Sequence, residues 1–584
     1  MTRDFSRVLT ILYGSETGTA QEVAENIWRE SKAHHFRGKV LSMDEYEIKN
    51  LIDEKIVIFV VATTGQGDEP QNMKSFWKFL LRKSLPANSL QSMNFVVIGL
   101  GDSSYLKYNF AAKRLHKRLL QLGANSLLSI CLCDDQHDLG IAGALCPWMY
   151  DFWKVIDELY PLPLNLRSEI VEPKKTRWNV IRMKEQVDEN PDIYSNIEES
   201  NEDGYAEVIS NERTTSADHF QDVRLISFNC ELKWEIGDVA YVRPQNSKEA
   251  VDRLFEIFKE HNLDFADGYN CCVMLEDDEE ITAPRVLKKP LTLRTIATQF
   301  WDLSAKPKPR AFAVLAYNCE NELEKEKLIE LSSYEGQEDW LNYVNRPRRN
   351  ILEVLNDFPH ATSKLTLELL FELFIPIKQR PFSIASSPLT KRLDILVAVV
   401  EYYTNLKAQR KGFCSNWLKN LQQGDRVRIS IKKGTFKFPK EISTPLIMIG
   451  PGTGLAIFRG IIQDYVSKSE SSNDKLVLFF GCRYMDKDFH CRDELKKLED
   501  EGKLKLFCAF SRDQNHKIYV QDLIINQKSL LKDLIINKGG HFYVSGNSKN
   551  MPNAVKDAIK KALEDADYVE NMIKTERYQE ETWA

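Results

Sequence analysis

Near its start the chain reads TILYGSETGTAQEVA, residues 10–24. An apolar run ends in a cluster of Gly, Ser and Thr, and a helical pattern follows at once. Ser15, Thr17 and Thr19 offer hydroxyls. The helix N-terminus adds backbone N–H groups, which bind an anion with the help of the helix dipole. A loop that works on a nucleotide triphosphate reads G-x-x-x-x-G-K-[ST], with the lysine on the phosphates. This loop, from Gly14 to Thr19, has no lysine. It suits a phosphate that is held and not transferred, for which hydroxyls, N–H groups and a helix end suffice. The competing explanation is a Ser/Thr-rich helix cap.

Other clusters carry similar signals. TTGQGD (63–68) sets two glycines where backbone can touch a planar ligand, and GLGDSSYLKYN (99–109) contains Tyr105, an aromatic able to stack. RPFSIASS (380–387) offers the fixed donor fork of Arg380 to a pyrophosphate, and Phe382 can pack on a ring. An isolated arginine of this kind is more often in a surface ion pair. GPGTGLAIFRG (450–460) has the strand, glycine turn and helix of a dinucleotide site, a weak signal by itself. SRDQNHKIYVQ (511–521) gathers Ser511, Arg512, Lys517, Tyr519 and Gln521. An NAD site would set an acidic residue against the ribose hydroxyls. This cationic, hydroxyl-rich set suits a 2′-phosphate instead.

These residues need elements to hold them. Residues 1–160 alternate strand and helix: strands at RVLTILYG, KIVIFVVATT, MNFVVIGLGD and SLLSICLCDD, and helices at AQEVAENIWRESKAH, NMKSFWKFLLRK, NFAAKRLHKRLLQLG and WMYDFWKVIDELY. Repeated βα units predict a doubly wound parallel sheet, whose ligands bind beyond the carboxyl ends of the strands. GSETGTA, TTGQGDE, GLGDSSY and CDDQHD should therefore converge. Residues 161–203 are rich in proline and acid and read as a mobile linker. Strand patterns then occupy 204–246 and 376–440, interrupted by helical patterns over 247–375. From 441 to 584 strand and helix alternate again, as a second parallel α/β domain.

The chain has 584 residues, a net charge of −6 and eleven cysteines with no CxxC pair. Its length predicts three or four domains, its charge argues against nucleic acid, and its odd cysteine count argues against a closed disulfide framework. Cys131 and Cys133 should share one strand face as buried thiols. No apolar run approaches the ~18 residues of a membrane span, and the N-terminus reads as neither signal peptide nor anchor. A soluble, cytoplasmic protein is expected.

ATTGQGD, GLGDSSY, CDDQH, NRPRRNILEVL, FSIASS, AFSRDQNHKIYVQ and the terminal ETWA together resemble the diflavin reductases, in particular their cytosolic branch. The similarity covers nearly the whole chain and is least in the linker. It implies a multidomain α/β and β architecture: a flavodoxin-like FMN domain, an FAD-binding β-barrel with a helical insertion, and a ferredoxin-reductase-type NADP-binding α/β domain. It also implies three cofactors: FMN, FAD and NADPH. By resemblance Ser15, Glu16, Thr17, Gly18, Thr19 and Ala20 hold the FMN phosphate. Ala62, Thr63, Thr64 and Gly65 flank its ring, as do Leu100, Gly101, Asp102, Ser103, Ser104, Tyr105, Leu106, Lys107, Tyr108 and Asn109. Asp134 or Asp135 lies near the ring. Arg348, Arg380, Pro381, Phe382 and Ser383 contact FAD, and Gly412, Phe413, Cys414 and Ser415 clamp its pyrophosphate. Thr453, Ser511, Arg512, Lys517, Ile518, Tyr519, Val520 and Gln521 take NADPH. Trp583 covers the FAD ring. Ser383, Glu581, Trp583 and Ser545 are the catalytic candidates beside the hydride path.

The chain departs from the wider family at four positions. Thr64 replaces a stacking Tyr, Ile457 a proline, Ser545 a cysteine and Ala554 an aspartate that touches NADPH. The resemblance implies an NADPH-dependent reductase that delivers electrons to an anamorsin-type iron–sulfur protein in cytosolic cluster assembly. The alternatives are another acceptor, a heme protein or methionine synthase, and a non-catalytic flavoprotein scaffold. An NTP-driven switch is disfavoured by the missing lysine.

Overall fold

The computed structural model describes residues 7–65, 67–105, 107–162, 176–183, 192–194, 203–277, 280–333, 335–404, 407–468 and 475–583. They divide into two compact units. One comprises the described residues of Met1–Ile197, Asn246–Lys378 and Thr404–Leu406. The other comprises those of Glu198–Gln245, Gln379–Tyr403 and Lys407–Ala584.

The first unit is built on a parallel sheet. Its order is Arg37–Ser42, Val8–Gly14, Ile56–Ala62 and Asn94–Gly101, with Asn125–Ser126 and Cys131–Asp134 both pairing with Asn94–Gly101. The central strands are near-continuous apolar runs because helices cover both faces. Helix Thr19–Ala33 buries Ala20, Val23, Ala24, Ile27 and Trp28. The edge strand Arg37–Ser42 was not anticipated: its exposed and buried residues nearly alternate, and Arg and Lys take exposed positions. The fourth helix begins at Ala142, earlier than the expected Trp148, and contains Pro147. Cys131 and Cys133 are buried on one face with their sulfurs 3.7 Å apart.

The same unit contains the helical insertion, including Lys248–Glu260, Pro309–Ala316, Glu322–Ser332, Ile351–Asp357 and Leu367–Leu373. Helix Thr19–Ala33 is bonded to it through buried charge. Arg29 pairs with Glu372, Arg177 Nε lies 3.2 Å from Glu372 and Arg177 Nη1 lies 2.6 Å from Glu25. Burial pushes the Glu372 carboxyl up, but Arg177 and Arg29 outweigh it and hold it below its ordinary 4.5. The expected linker is not uniform. Asn179–Met183 is a strand paired with Cys272–Glu276 of the insertion, and Trp178, Ile193 and Tyr194 are buried in the same core. Apolar burial there outweighs the polar composition around it.

The second unit holds two sheets. The antiparallel one runs Arg380–Ser383, Val239–Val242, Arg426–Lys432, Asp203–Arg213, Val223–Cys230 and Leu393–Ala398. A bridge from Ile384 to Ile395 nearly closes it into a barrel. The parallel one runs Lys505–Phe510, Leu476–Cys482, Leu446–Ile449, His541–Asn547 and Tyr578–Trp583. Its last strand, YQEETW, has a polar middle and was not anticipated. Among the described residues no helix is long and apolar enough to cross a membrane.

Candidate functional site

In the first unit the strand ends converge as the topology requires. Gly18 caps helix Thr19–Ala33 with φ 86°, and no side chain caps that helix end. Only glycine takes this left-handed turn without steric cost. The turn is fixed by Gly18 N–H donating to Ser15 Oγ at 3.0 Å and Ser15 N–H donating to Asn72 Oδ1 at 2.7 Å. Glu16 accepts the Gln71 N–H at 2.9 Å, so its carboxylate is used in holding the loop. Ala20 is fully buried and contributes main chain only.

The neighbouring loops are laced to one another. Thr64 N–H donates to Asp68 O at 3.0 Å, which closes the loop around Gly65. Asp134 accepts the N–H groups of Ser103 and Gln136 at 2.9 and 3.0 Å. Burial pushes its carboxyl up, but these bonds and the Ser103 side chain outweigh it and hold it below the ordinary aspartate value. Burial pushes Asp135 above that value, with Asp102 adding to the effect. Asp102 accepts the Ser104 N–H at 2.8 Å and the Gln136 amide at 3.0 Å. Asn109, left-handed at φ 53°, donates to Cys133 O at 2.9 Å, and Tyr108 donates to Leu132 O at 2.9 Å. Tyr105 is exposed, Lys107 lies beside the Phe110 ring and Leu100 is buried. Ala62 ends the third strand of the sheet order. Leu106 lies outside the described residues.

Thr63 Oγ1 and Asn109 Oδ1 are both buried and lack a hydrogen-bond partner. Buried polar atoms are rarely left so. Two such atoms at the carboxyl ends of adjacent strands, beside an uncapped helix end, fit a polar planar ligand carrying a phosphate. FMN has that chemistry.

In the second unit Arg380, Pro381, Phe382 and Ser383 form the first strand of the barrel order, paired with Val239–Val242. Pro381 is exposed and Phe382 packs against the barrel core. Gly412 opens helix Phe413–Lys419 with no side-chain cap. Cys414 is buried in the barrel core, which pushes its thiol up to about 12 and disfavours the thiolate. Ser415 Oγ accepts the Val400 N–H at 3.1 Å. Arg348 belongs to the first unit, is exposed and has φ 56°. Burial pushes the Lys306 ammonium below its ordinary value, and Arg348 adds to the effect.

Ser383, Glu581 and Ser545 come together. Ser383 Oγ donates to Glu581 Oε1 at 3.4 Å and Thr435 Oγ1 donates to Glu581 Oε2 at 3.0 Å. Ser545 is the register partner of Glu581. Its hydroxyl is buried without a partner. Burial pushes the Glu581 carboxyl above its ordinary 4.5 against both hydroxyl bonds. Trp583 is half-buried two residues on and pairs with Asn547. Thr453 lies in the turn Gly452–Gly454. Any side chain at Gly454 would strike the Ser545 carbonyl, since a Cβ there would come within 2.1 Å of it.

The polar loop lies beyond strand Lys505–Phe510. Ser511 N–H donates to Cys482 O at 3.0 Å and Arg512 N–H to Arg483 O at 2.9 Å. Arg512, Lys517 and Tyr519 are exposed, Ile518 and Gln521 are half-buried, and Val520 is buried in the core. The Val520 side chain therefore packs, while two cations and the Tyr519 hydroxyl make a donor set fit for a phosphorylated ribose, beside Ser511, whose hydroxyl donates to Cys482 O at 3.3 Å. Sequence reasoning missed Asn72, Thr435 and the Ser545–Glu581 pairing. All three depend on sheet register or loop closure between distant segments.

Three family models match the chain: Flavodoxin over residues 11–148, FAD binding domain over 199–417 and Oxidoreductase NAD-binding domain over 448–557. Curated relatives named NADPH-dependent diflavin oxidoreductase 1 match nearly end to end. The Danio rerio protein is 43% identical over 98% of this chain and 99% of its own length. The Xenopus laevis protein is 43% identical over 99% of both chains. The Dictyostelium discoideum protein is 37% identical over 94% of this chain and 89% of its own.

Proposed function

The chain belongs to the NADPH-dependent diflavin oxidoreductases, and from that premise we propose that its acceptor is an anamorsin-type iron–sulfur protein of cytoplasmic cluster assembly. When bound, the nicotinamide and the two flavins would supply the hydride and single-electron chemistry of the reaction.

The residues divide that work. Ser15, Thr17, Thr19 and the N–H groups behind Gly18 would hold the FMN phosphate, with Thr63 and Asn109 beside the flavin. Arg380 would take the FAD pyrophosphate. Ser383 Oγ would orient the flavin ring, and Glu581, bonded to it, would hold or release a proton. Ser511, Arg512, Lys517 and Tyr519 would bind the 2′-phosphate. Trp583 would cover the FAD ring. In this reading residues 1–160 are the FMN domain, 204–246 and 376–440 the FAD barrel, 247–375 its insertion and 441–584 the NADPH domain. Asn179–Met183, within the 161–203 connection, packs with the insertion.

The acidic rim around the exposed Tyr105 carries the acceptor proposal. Asp68, Asp135 and Asp138 are exposed on the loops that follow the strand ends, while Glu69 is offset by Arg114 at 3.4 Å and Asp135 in part by Lys308 and Lys306. Such a rim attracts a basic docking face. The test mixes the holoenzyme and NADPH with the oxidised cluster protein and follows the cluster's absorbance. Bleaching is expected. An unreduced cluster, in a sample that still reduces a heme protein, would sink the proposal and favour another acceptor.

A further inference from the structure

The phosphate loop contains no lysine, yet a lysine reaches it. Lys378 lies 359 positions after Thr19, and its Nζ donates to Thr19 Oγ1 at 3.2 Å. A Cβ on Gly18 would come within 3.9 Å of Lys378 Cε, so the stem passes beside the left-handed turn. Lys378 is half-buried and lies just beyond the end of the helical insertion, within the same compact unit as the loop.

This is a costly place for an ammonium. The N-terminus of helix Thr19–Ala33 carries partial positive charge, and a cation is repelled there. Glu22, in the first turn of that helix, is paired with Lys308 at 2.6 Å. An anion set against Thr19 Oγ1 would be attracted by the helix end and by the ammonium that reaches the same hydroxyl. A phosphate monoester carries close to two negative charges at neutral pH, which hydroxyls alone do not neutralise.

We propose that Lys378 binds the FMN phosphate, so that the missing cation of the loop is supplied by the segment that follows the helical insertion. The proposal rests on the reading that Ser15–Ala20 hold that phosphate. It has a consequence for linkage. Docking of the flavodoxin-like sheet on the helices brings Lys378 to the loop. FMN binding and that docking must then favour each other equally.

The test separates phosphate from ring. Full-length wild-type protein and Lys378→Ala, each stripped of FMN and saturated with FAD, are titrated with FMN and with riboflavin, read by flavin fluorescence. Retained FAD and an unchanged melting curve report folding. Wild type should prefer FMN strongly. Lys378→Ala should weaken FMN about tenfold, the loss expected for one charge-assisted bond at a half-buried site, and leave riboflavin within about twofold. Lys378→Arg should restore FMN binding. In a second measurement, FMN affinity of wild type should fall with salt more steeply than that of Lys378→Ala. An unchanged FMN-to-riboflavin ratio in Lys378→Ala, or equal salt slopes, would overturn the proposal. Equal affinity of wild type for FMN and riboflavin would instead remove the phosphate-loop reading beneath it.

Discussion

Ser545 and Glu581 are register partners on two adjacent parallel strands, and the Glu581 carboxyl accepts the Ser383 hydroxyl at 3.4 Å. A barrel residue and two residues of the nucleotide-binding sheet thus form one cluster. Its acid is pushed by burial above the ordinary carboxyl value.

Glu581→Gln should slow NADPH-dependent flavin reduction about a hundredfold, the low end for a positioned acid or base. Stopped-flow absorbance measures it. The pH dependence of stability has a definite sign. Between the ordinary 4.5 and its raised folded value, Glu581 keeps a proton in the folded state that the unfolded chain releases. Its contribution to stability is therefore lost as pH rises through that window. The melting temperature of Glu581→Gln should gain on wild type as pH rises through the same range. A variant that instead loses ground would show that the carboxylate is the stabilised form.

Arg512→Ala should lower the NADPH-to-NADH ratio of kcat/KM about ten- to a hundredfold, as expected for losing a charged hydrogen bond to phosphate. Activity with NADH should barely change. Unaltered discrimination would place the 2′-phosphate elsewhere.

Trp583→Ala should also relax the preference for NADPH, by raising turnover with NADH several-fold. Trp583 is held in its strand through main chain, its carbonyl accepting the Ser548 N–H at 2.8 Å. The side chain can therefore be removed without undoing the sheet. A fall in both activities, with no change in preference, would make the indole a packing anchor.

Glu372→Gln breaks the buried charge network and should destabilise the first unit by about 3 kcal/mol at neutral pH. The Glu372 carboxyl lies below its ordinary 4.5, so its stabilisation is present above that value and is lost as pH falls through the folded one. The difference between wild type and variant should shrink in acid. A constant difference across pH would assign the loss to packing.

Much of this was legible in the sequence. The glycine-bearing strand ends follow from apolar runs that stop at small polar residues, and the doubly wound sheet brings them together without further information. Arg37–Ser42 and Tyr578–Trp583 were not legible, because an edge strand and a polar strand lack the continuous apolar run of a central one. Asn179–Met183 was hidden by its acidic surroundings, although Trp178 beside it marked a buried site. Lys378 could not have been assigned to the loop. The contact depends on tertiary closure, and nothing local in IKQRPFS reports it.

The central claim is an ordered path that leaves through the flavodoxin-like sheet. Enzyme emptied of FMN but holding FAD should still be reduced by NADPH at the wild-type rate, and should lose reduction of the iron–sulfur acceptor until FMN is added back. Acceptor reduction at an undiminished rate without FMN would contradict the account.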